Sequence, residues 1–472
     1  MIAASVARRT AAATIRTGVL VLATVAPSPA AAGDAEATCP TKFYRLEEDC
    51  RNLAGHELTG VEVLRFLPIG PDASLSLGGE ARWSVEGLAP PNFGIRKPPD
   101  SMAEGWRGLF DLDFRITSGP RVFVQLLSAG EGGRQPVERP FDRDTLDLAQ
   151  AFVELPTNLA EIPITLRVGR QELDLQGNRL VGVRDLANVR RAFDLVFAEV
   201  RPAGFVVDAF GGRPVLLDPG LFNDRSDPQE TFAGTTIEHP VLSEPGSALA
   251  AGIFAFRRTR DQAVYAKGTA PDDRDTFGAR LHGNVGAFDL ALQAALQRGR
   301  FGQFEIDASG IAMDIGWRFA NMPWQPRLGL SGGRASGDKG RGDSKLGTFD
   351  PVYPNLSYFT DASPIYPGNS ADLEPNLTVT PMPGVTVQGG VDMIWRVSNQ
   401  DAIYAPPGVP LVAGTGNGPS HVASLPYLRA SFAPDPHWEV DLSYVKILAG
   451  ALLQQAGGRS GNYFRAAVTA RF

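Results

Sequence analysis

The last eleven residues, Asn462 to Phe472, constrain the fold more than any other stretch. Counted back from the end, every second residue is apolar: Phe472, Ala470, Val468, Ala466 and Phe464. The residues between them, Arg471, Thr469, Ala467, Arg465 and Tyr463, are mostly polar. Period two places successive side chains on opposite faces of a strand. A wall with lipid on one side and water on the other needs that division. An edge strand of a soluble sandwich alternates in the same way, so this strand alone leaves both architectures open.

The alternation recurs from Leu75 onward. In Leu75–Val85 the odd positions are apolar or small, whereas Ser76, Glu80, Arg82 and Ser84 share the other face. In Arg107–Thr117 the phase flips, with Phe110, Leu112, Phe114 and Ile116 opposite Asp111, Asp113 and Arg115. In Val385–Ser398, Val387, Val391, Met393 and Trp395 oppose Gln388, Asp392 and Arg396. Short Gly- or Pro-containing turns at 118–119, 202–203, 286–287, 382–383 and 434–436 alternate with long links at 87–106, 129–144, 172–192, 213–230, 259–274, 337–372, 399–420 and 449–461. Short turns on one rim and long loops on the other describe an outer-membrane barrel whose short turns face the periplasm. The expected fold is therefore all-β: a single transmembrane antiparallel β-barrel over 75–472. It has about eighteen strands, with sixteen possible because the segments 193–201, 231–238 and 373–381 are weakly patterned. A sandwich would not need this alternation of link lengths, and a propeller would show a blade repeat, which is missing here. Tryptophans 83, 106, 317, 324, 395 and 438 fall mostly near strand ends, where interfacial girdles lie.

Composition is consistent with a barrel. Mean hydropathy is −0.09, because a polar inner face dilutes an apolar outer one. After residue 32 there is no apolar run of about 18 residues, which excludes a spanning helix. Residues 1–32 read as a secretory signal: Arg8, Arg9 and Arg16 precede a short apolar core, and Ala30-Ala31-Ala32 offers a cleavage site. Removing them lowers the net charge from −7 by three units to −10, which argues against a nucleic-acid partner. Only six of the 45 basic residues are Lys, so most are Arg, whose planar fork matches carboxylates. Residues 33–74 precede the strand pattern and read as a partial plug or as a periplasmic lead-in, the lead-in being the favoured of the two. Cys39 and Cys50, the only cysteines, are expected to form one local disulfide there. With only His56 close to them, no metal site is expected, and no cofactor.

The densest chemistry is Leu166–Glu199, with Arg167, Arg170, Arg190, Arg191 and Asp194 among its charges. Folded inward, the 172–192 link would bring guanidiniums to a constriction; folded outward, it would be a self-neutralised rim. Strand phase turns Arg82, Arg115, Arg121 and Arg167 inward, with Arg280, Arg318, Arg396 and Arg465 further along. By the same phase the acidic lumen residues are Glu80, Asp111, Asp113, Asp314 and Asp392, then Glu439 and Asp441. No nucleophile elbow, HExxH or phosphate-binding loop occurs, so the chain is not expected to be an enzyme.

Gly169-Arg170-Gln171, then Arg179-Leu180-Val181, then Asn188 through Asp194 resemble the central block of the alginate export family of outer-membrane barrels. Leu75 to Glu80, Arg121 to Leu126, Leu146 to Phe152, Val207 to Asp227 and Leu346 to Asp350 extend the likeness. The resemblance implies an eighteen-stranded barrel with an Arg-lined lumen, in which named members carry an anionic polyuronate outward. A polyuronate has one carboxylate per sugar, and wall guanidiniums interspersed with acids could hold and release each in turn. A substrate-specific porin for small anions fits the same residues. The expected partners are an anionic polysaccharide or small anion, outer-membrane lipid, and the barrel-assembly machinery. The last follows from Phe472, since a chain ending on Phe after such a strand resembles the terminal assembly signal of bacterial outer-membrane barrels. The implied location is the Gram-negative outer membrane, and a monomer is implied.

Overall fold

The computed structural model describes residues 39–95, 97–135, 139–340 and 342–472; the expected export signal lies outside them. Eighteen strands form the wall. The first six are β1 (Ala73–Ala89), β2 (Ser101–Ile116), β3 (Arg121–Gly132), β4 (Asp144–Leu159), β5 (Ile162–Gln171) and β6 (Phe193–Val200). Next come β7 (Val206–Leu216), β8 (Glu230–Glu244), β9 (Ser247–Tyr265), β10 (Gly268–Val285), β11 (Phe288–Phe301) and β12 (Phe304–Arg318). The last six are β13 (Arg327–Ala335), β14 (Ser370–Met382), β15 (Val385–Arg396), β16 (His421–Asp435), β17 (Trp438–Ala449) and β18 (Gly461–Arg471).

Each wall strand pairs antiparallel with its sequence neighbours. The alternating strand at the C-terminus closes the cylinder: β18 lies against β1, with Arg471 opposite Glu80 and Asn462 opposite Ala89. Closure pairs the backbone groups that lipid could not solvate, which is why a sheet can span a membrane only as a closed barrel. No helix among the described residues is long and apolar enough to cross a membrane. The three weakly patterned segments are all wall strands, β6, β8 and β14.

Alternation assigns the two faces. Outside, Phe110, Val153, Val196, Ile253, Phe277 and Leu296 are exposed. Trp83 and Trp106 stand opposite each other toward the rim of long connections, whereas Trp317, Trp324 and Trp438 lie at the rim where β1 starts and β18 ends. All five are about half exposed, as two interfacial girdles require.

Inside, the pattern breaks in a way that identifies what fills the bore. Phe193, Phe210, Phe232, Phe254 and Phe256 point inward from β6 to β9 and are nearly fully buried. Leu173, Leu175 and Val181 of the 172–192 connection cover them, together with Val352 and Tyr353 of the 336–369 connection. Tyr353 meets Phe193 and Phe232 at ring-centroid distances of 5.1 and 4.9 Å. Each buried ring contributes about 2 kcal/mol to keeping these segments inside.

One expectation is corrected, and one open alternative narrows. Residues 259–274 are not a long link: β9 and β10 run on to a two-residue turn at Ala266-Lys267. The polar character that suggested a loop, Arg258, Arg260, Asp272 and Arg274, belongs to an ion network inside the wall. Of the two readings of the N-terminal segment, the contacts favour the partial plug: Arg45, Leu46 and Glu48 meet the inward-facing Asp111, Arg121 and Arg115 of the wall. A disulfide joins Cys39 and Cys50, and Glu48 pairs with Arg45 and Arg65 at 2.8 Å each. Arg45 also reaches Asp111 at 2.8 Å and the Phe472 carbonyl at 2.6 Å. Gly78 makes this approach possible, since a Cβ there would collide with the Arg45 guanidinium.

Candidate functional site

The candidate site is the bore and the chain folded into it. Glu80, Arg82, Asp111, Asp113 and Arg115 all sit on the inward parity of β1 and β2. Arg121 joins them from β3, donating to Asp113 at 2.8 Å and to the Leu46 carbonyl at 2.7 Å. Arg115 pairs with Asp113 at 2.9 Å. These groups grip the N-terminal segment rather than standing free.

The 172–192 connection folds inward and is held by one acid among three guanidiniums. Asp185 accepts from Arg190 at 2.6 Å, from Arg107 at 3.0 Å and from Arg82 at 3.3 Å. Burial works against the Asp185 charge, but Arg190, Arg107 and Arg82 outweigh it and hold the carboxyl well below the usual range. Arg107 also binds Glu80 at 3.0 Å, and Arg471 binds Glu80 at 3.1 Å and Glu439 at 2.7 Å. Arg191 donates to the carbonyls of Gly182 and Tyr353 at 2.9 and 2.7 Å, which ties the two inward connections together.

The 336–369 connection repeats the device on the opposite wall. Asp350 accepts from Arg260 and from the hydroxyls of Tyr265 and Tyr366, each at 2.8 Å. Arg258 lies 3.7 Å away, and Arg274 donates to the Thr348 carbonyl at 3.1 Å. Burial opposes ionisation of Asp350, and Arg260, Arg258 and Arg274 reverse it, driving the carboxyl far below its ordinary value.

Arg167 lines the interior against Glu154 at 2.7 Å. Asp314 pairs with Arg327 at 2.6 Å, and Arg396 donates to the Asn417 carbonyl at 2.6 Å. Asp392, Glu439 and Asp441 also take the inward parity. Arg280, Arg318 and Arg465 differ from these: they face inward with no hydrogen bond or ion pair from their side chains among the described residues. Arg280 abuts the inward connection at Gly177, whose φ of +67° suits glycine and where a Cβ would lie 2.7 Å from the guanidinium.

Arg170 and Asp194, expected in the lumen, are not there. They pair at 2.9 Å, and their strands alternate so that they share a face with Val168 and Val196, which are 46% and 47% exposed to the outside. Arg167 is inward, so Arg170, three residues on in the same strand, must point outward. The sequence expectation had grouped Arg170 with the inward connection.

Arg107, Arg258, Arg260, Arg274 and Asp350 are major interior groups that the sequence reading did not single out. Arg107 has the same parity as Asp111 and Asp113 and was legible on that ground. Arg260 and Arg274 were hidden by the misread link, and Arg258 stands immediately before it.

Comparisons with known proteins give the same architecture. No curated protein matches the chain. OccK2 (OpdF) of Pseudomonas aeruginosa, solved in complex with glucuronate, is similar with a TM-score of 0.56 at 12% identity, over 84% of this chain and 98% of that one. The outer-membrane protein OpdK of the same organism gives 0.55 at 12% identity over 85% and 98%. A BenF-like porin from Pseudomonas fluorescens Pf-5 gives 0.56 at 11% identity over 84% and 98%. At such identities the likeness is one of fold, that of outer-membrane porins. Residues 73–467 match the alginate export family, and the chain, a porin-like outer-membrane barrel, belongs to it.

Proposed function

We propose that this barrel passes acidic saccharides, with a polyuronate of the alginate type as the cargo class, through a bore whose unpaired guanidiniums hold successive carboxylates. One observation carries the reading: Arg280, Arg318 and Arg465 face the interior from three separate strands, and among the described residues no acid comes within ion-pair distance of them, although Glu238 and Asp174, Asp289, and Asp441 respectively lie near enough to act on them through space. A guanidinium beside water and without an internal partner can bind a passing carboxylate through a two-pronged hydrogen bond. Neighbouring interior acids, Asp441 near Arg465 among them, keep the hold weak enough for release. Membership of the alginate export family supports the cargo class. On this reading the short turns face the periplasm and the long connections face outward.

The test is ion selectivity in planar bilayers. The wild-type channel is expected to prefer anions, and Arg280→Glu with Arg465→Glu is expected to shift the reversal potential toward cation preference. An unchanged reversal potential would sink the assignment. A second reading, a porin for small acids, is favoured by how much chain occupies the bore. Liposome swelling separates the two: uptake of monomeric glucuronate but exclusion of oligouronates would favour the small-acid porin.

A further inference from the structure

β5 stops short of its neighbour. It pairs with β4 only from Ala151 to Leu159, because the chain turns into the bore after Gln171. The part of β4 above Ala151 therefore lacks a partner strand on that side. The 217–229 connection fills the gap: the Leu146 N–H donates to the Gly220 carbonyl at 3.1 Å, and the Phe222 N–H donates to the Leu146 carbonyl at 2.9 Å.

Three acids meet at this seam. Asp144, Asp147 and Asp224 each bring a carboxylate oxygen to within 4.8 Å of the others. Asp147 is engaged, accepting from the N–H groups of Asn223 and Asp224 at 2.7 and 3.0 Å, with Arg170 3.5 Å away. Asp144 is different. It is 1% exposed, and neither of its oxygens accepts a hydrogen bond. Asn223, adjacent to Asp224, also has a buried Oδ1 without a donor. Arg170 is the one cation paired with these acids among the described residues, and it also serves Asp194. Asp224 accepts from the Asp218 N–H at 2.7 Å and Asp147 also from the Leu148 N–H at 2.7 Å, so the unmet acceptors of the seam are both Asp144 oxygens and the Asn223 Oδ1, with one guanidinium set against three carboxylates. Such an arrangement is costly unless a cation completes it.

We propose that Asp144, Asp147 and Asp224, with the side-chain oxygen of Asn223, bind Ca²⁺, and that the ion fastens the 217–229 connection to the wall where β5 ends. The donors are all oxygen, which excludes a preference for zinc. An all-protein set of carboxylates and an amide suits Ca²⁺ better than Mg²⁺, which keeps its waters and demands octahedral geometry.

The full chain, refolded in detergent, tests this in two ways. Calorimetric titration with CaCl₂ is expected to show one site with a Kd in the ~10⁻⁴–10⁻³ M range of extracellular calcium modules. Trypsin cleavage after exposed Arg225 is expected to slow about tenfold at ten times that Kd, since the ion binds only the docked connection. Asp144→Asn and, separately, Asp224→Asn should abolish both effects while the barrel keeps its heat-modifiable gel mobility. The proposal is overturned if the wild-type protein gives no binding heat, if Mg²⁺ protects equally, or if a folded variant still responds to Ca²⁺.

Discussion

At the scale of single residues, the interior is governed by which charges are matched. Asp185 and Asp350 are each ringed by arginines and stay ionised despite burial. Glu172 is not so well served. Burial pushes its carboxyl up to about 7, and Arg190, 3.7 Å away, offsets only part of that. A carboxyl raised above its ordinary value of 4.5 leaves folding undisturbed below that value and costs stability as pH climbs through 7. Glu172→Gln is therefore expected to stabilise the protein at about pH 8, by up to about 3 kcal/mol, and to flatten the stability profile between about pH 5 and 8. Urea unfolding of the refolded barrel at both pH values checks this, and a mutant profile as steep as the wild-type one would count against it. Nothing in the sequence marks Glu172 as special; its burial comes from segments far apart in the chain.

At the scale of elements, the two inward connections share one way of docking. Each centres on a carboxylate set among guanidiniums, Asp185 with three and Asp350 with Arg260 and Arg258, and each lays apolar side chains on the aromatic patch of β6 to β9. Removing the carboxylate leaves like charges facing one another in a poorly solvated space. Asp185→Ala is expected to weaken docking of the 172–192 connection by about 3–5 kcal/mol, the range for breaking a buried ion pair on one side. The wall strands should survive, so the readout is faster proteolysis within 172–192 and a noisier open channel in bilayers; wild-type behaviour in both would refute the docking role. Strand phase was legible because period two survives any context, as Val385–Ser398 illustrates. The aromatic inner face was not, because an inward Phe in β6 reads as lipid-facing until the segment covering it is known.

At the scale of the whole molecule, closure and filling are separate matters. Pairing of β18 with β1 seals the cylinder. The N-terminal segment then occupies the rim where that seam lies, and Arg45 bridges β2 and the last residue. Tyr44 extends the contact to Asp174 of the inward connection, so the segment and the connection form one internal body. Deleting residues 39–66 is expected to raise single-channel conductance while leaving the barrel folded. Conductance equal to that of the full chain would mean that the segment does not obstruct the path.

The sequence alone determined the wall. Alternation, turn chemistry and link lengths are local properties, and a barrel of about eighteen strands with its closing strand followed from them. Only the tertiary structure decided what the arginines do. Whether a guanidinium waits for cargo or anchors a connection depends on which distant carboxylate arrives beside it. For Arg82 and Arg107 that is Asp185, for Arg260 it is Asp350, and for Arg280 none of the described acids comes close enough to pair, Asp174 and Glu238 acting on it only from a distance. Chain periodicity cannot encode those meetings, because burial and long-range charge set them only after the cylinder has closed and the connections have folded into it.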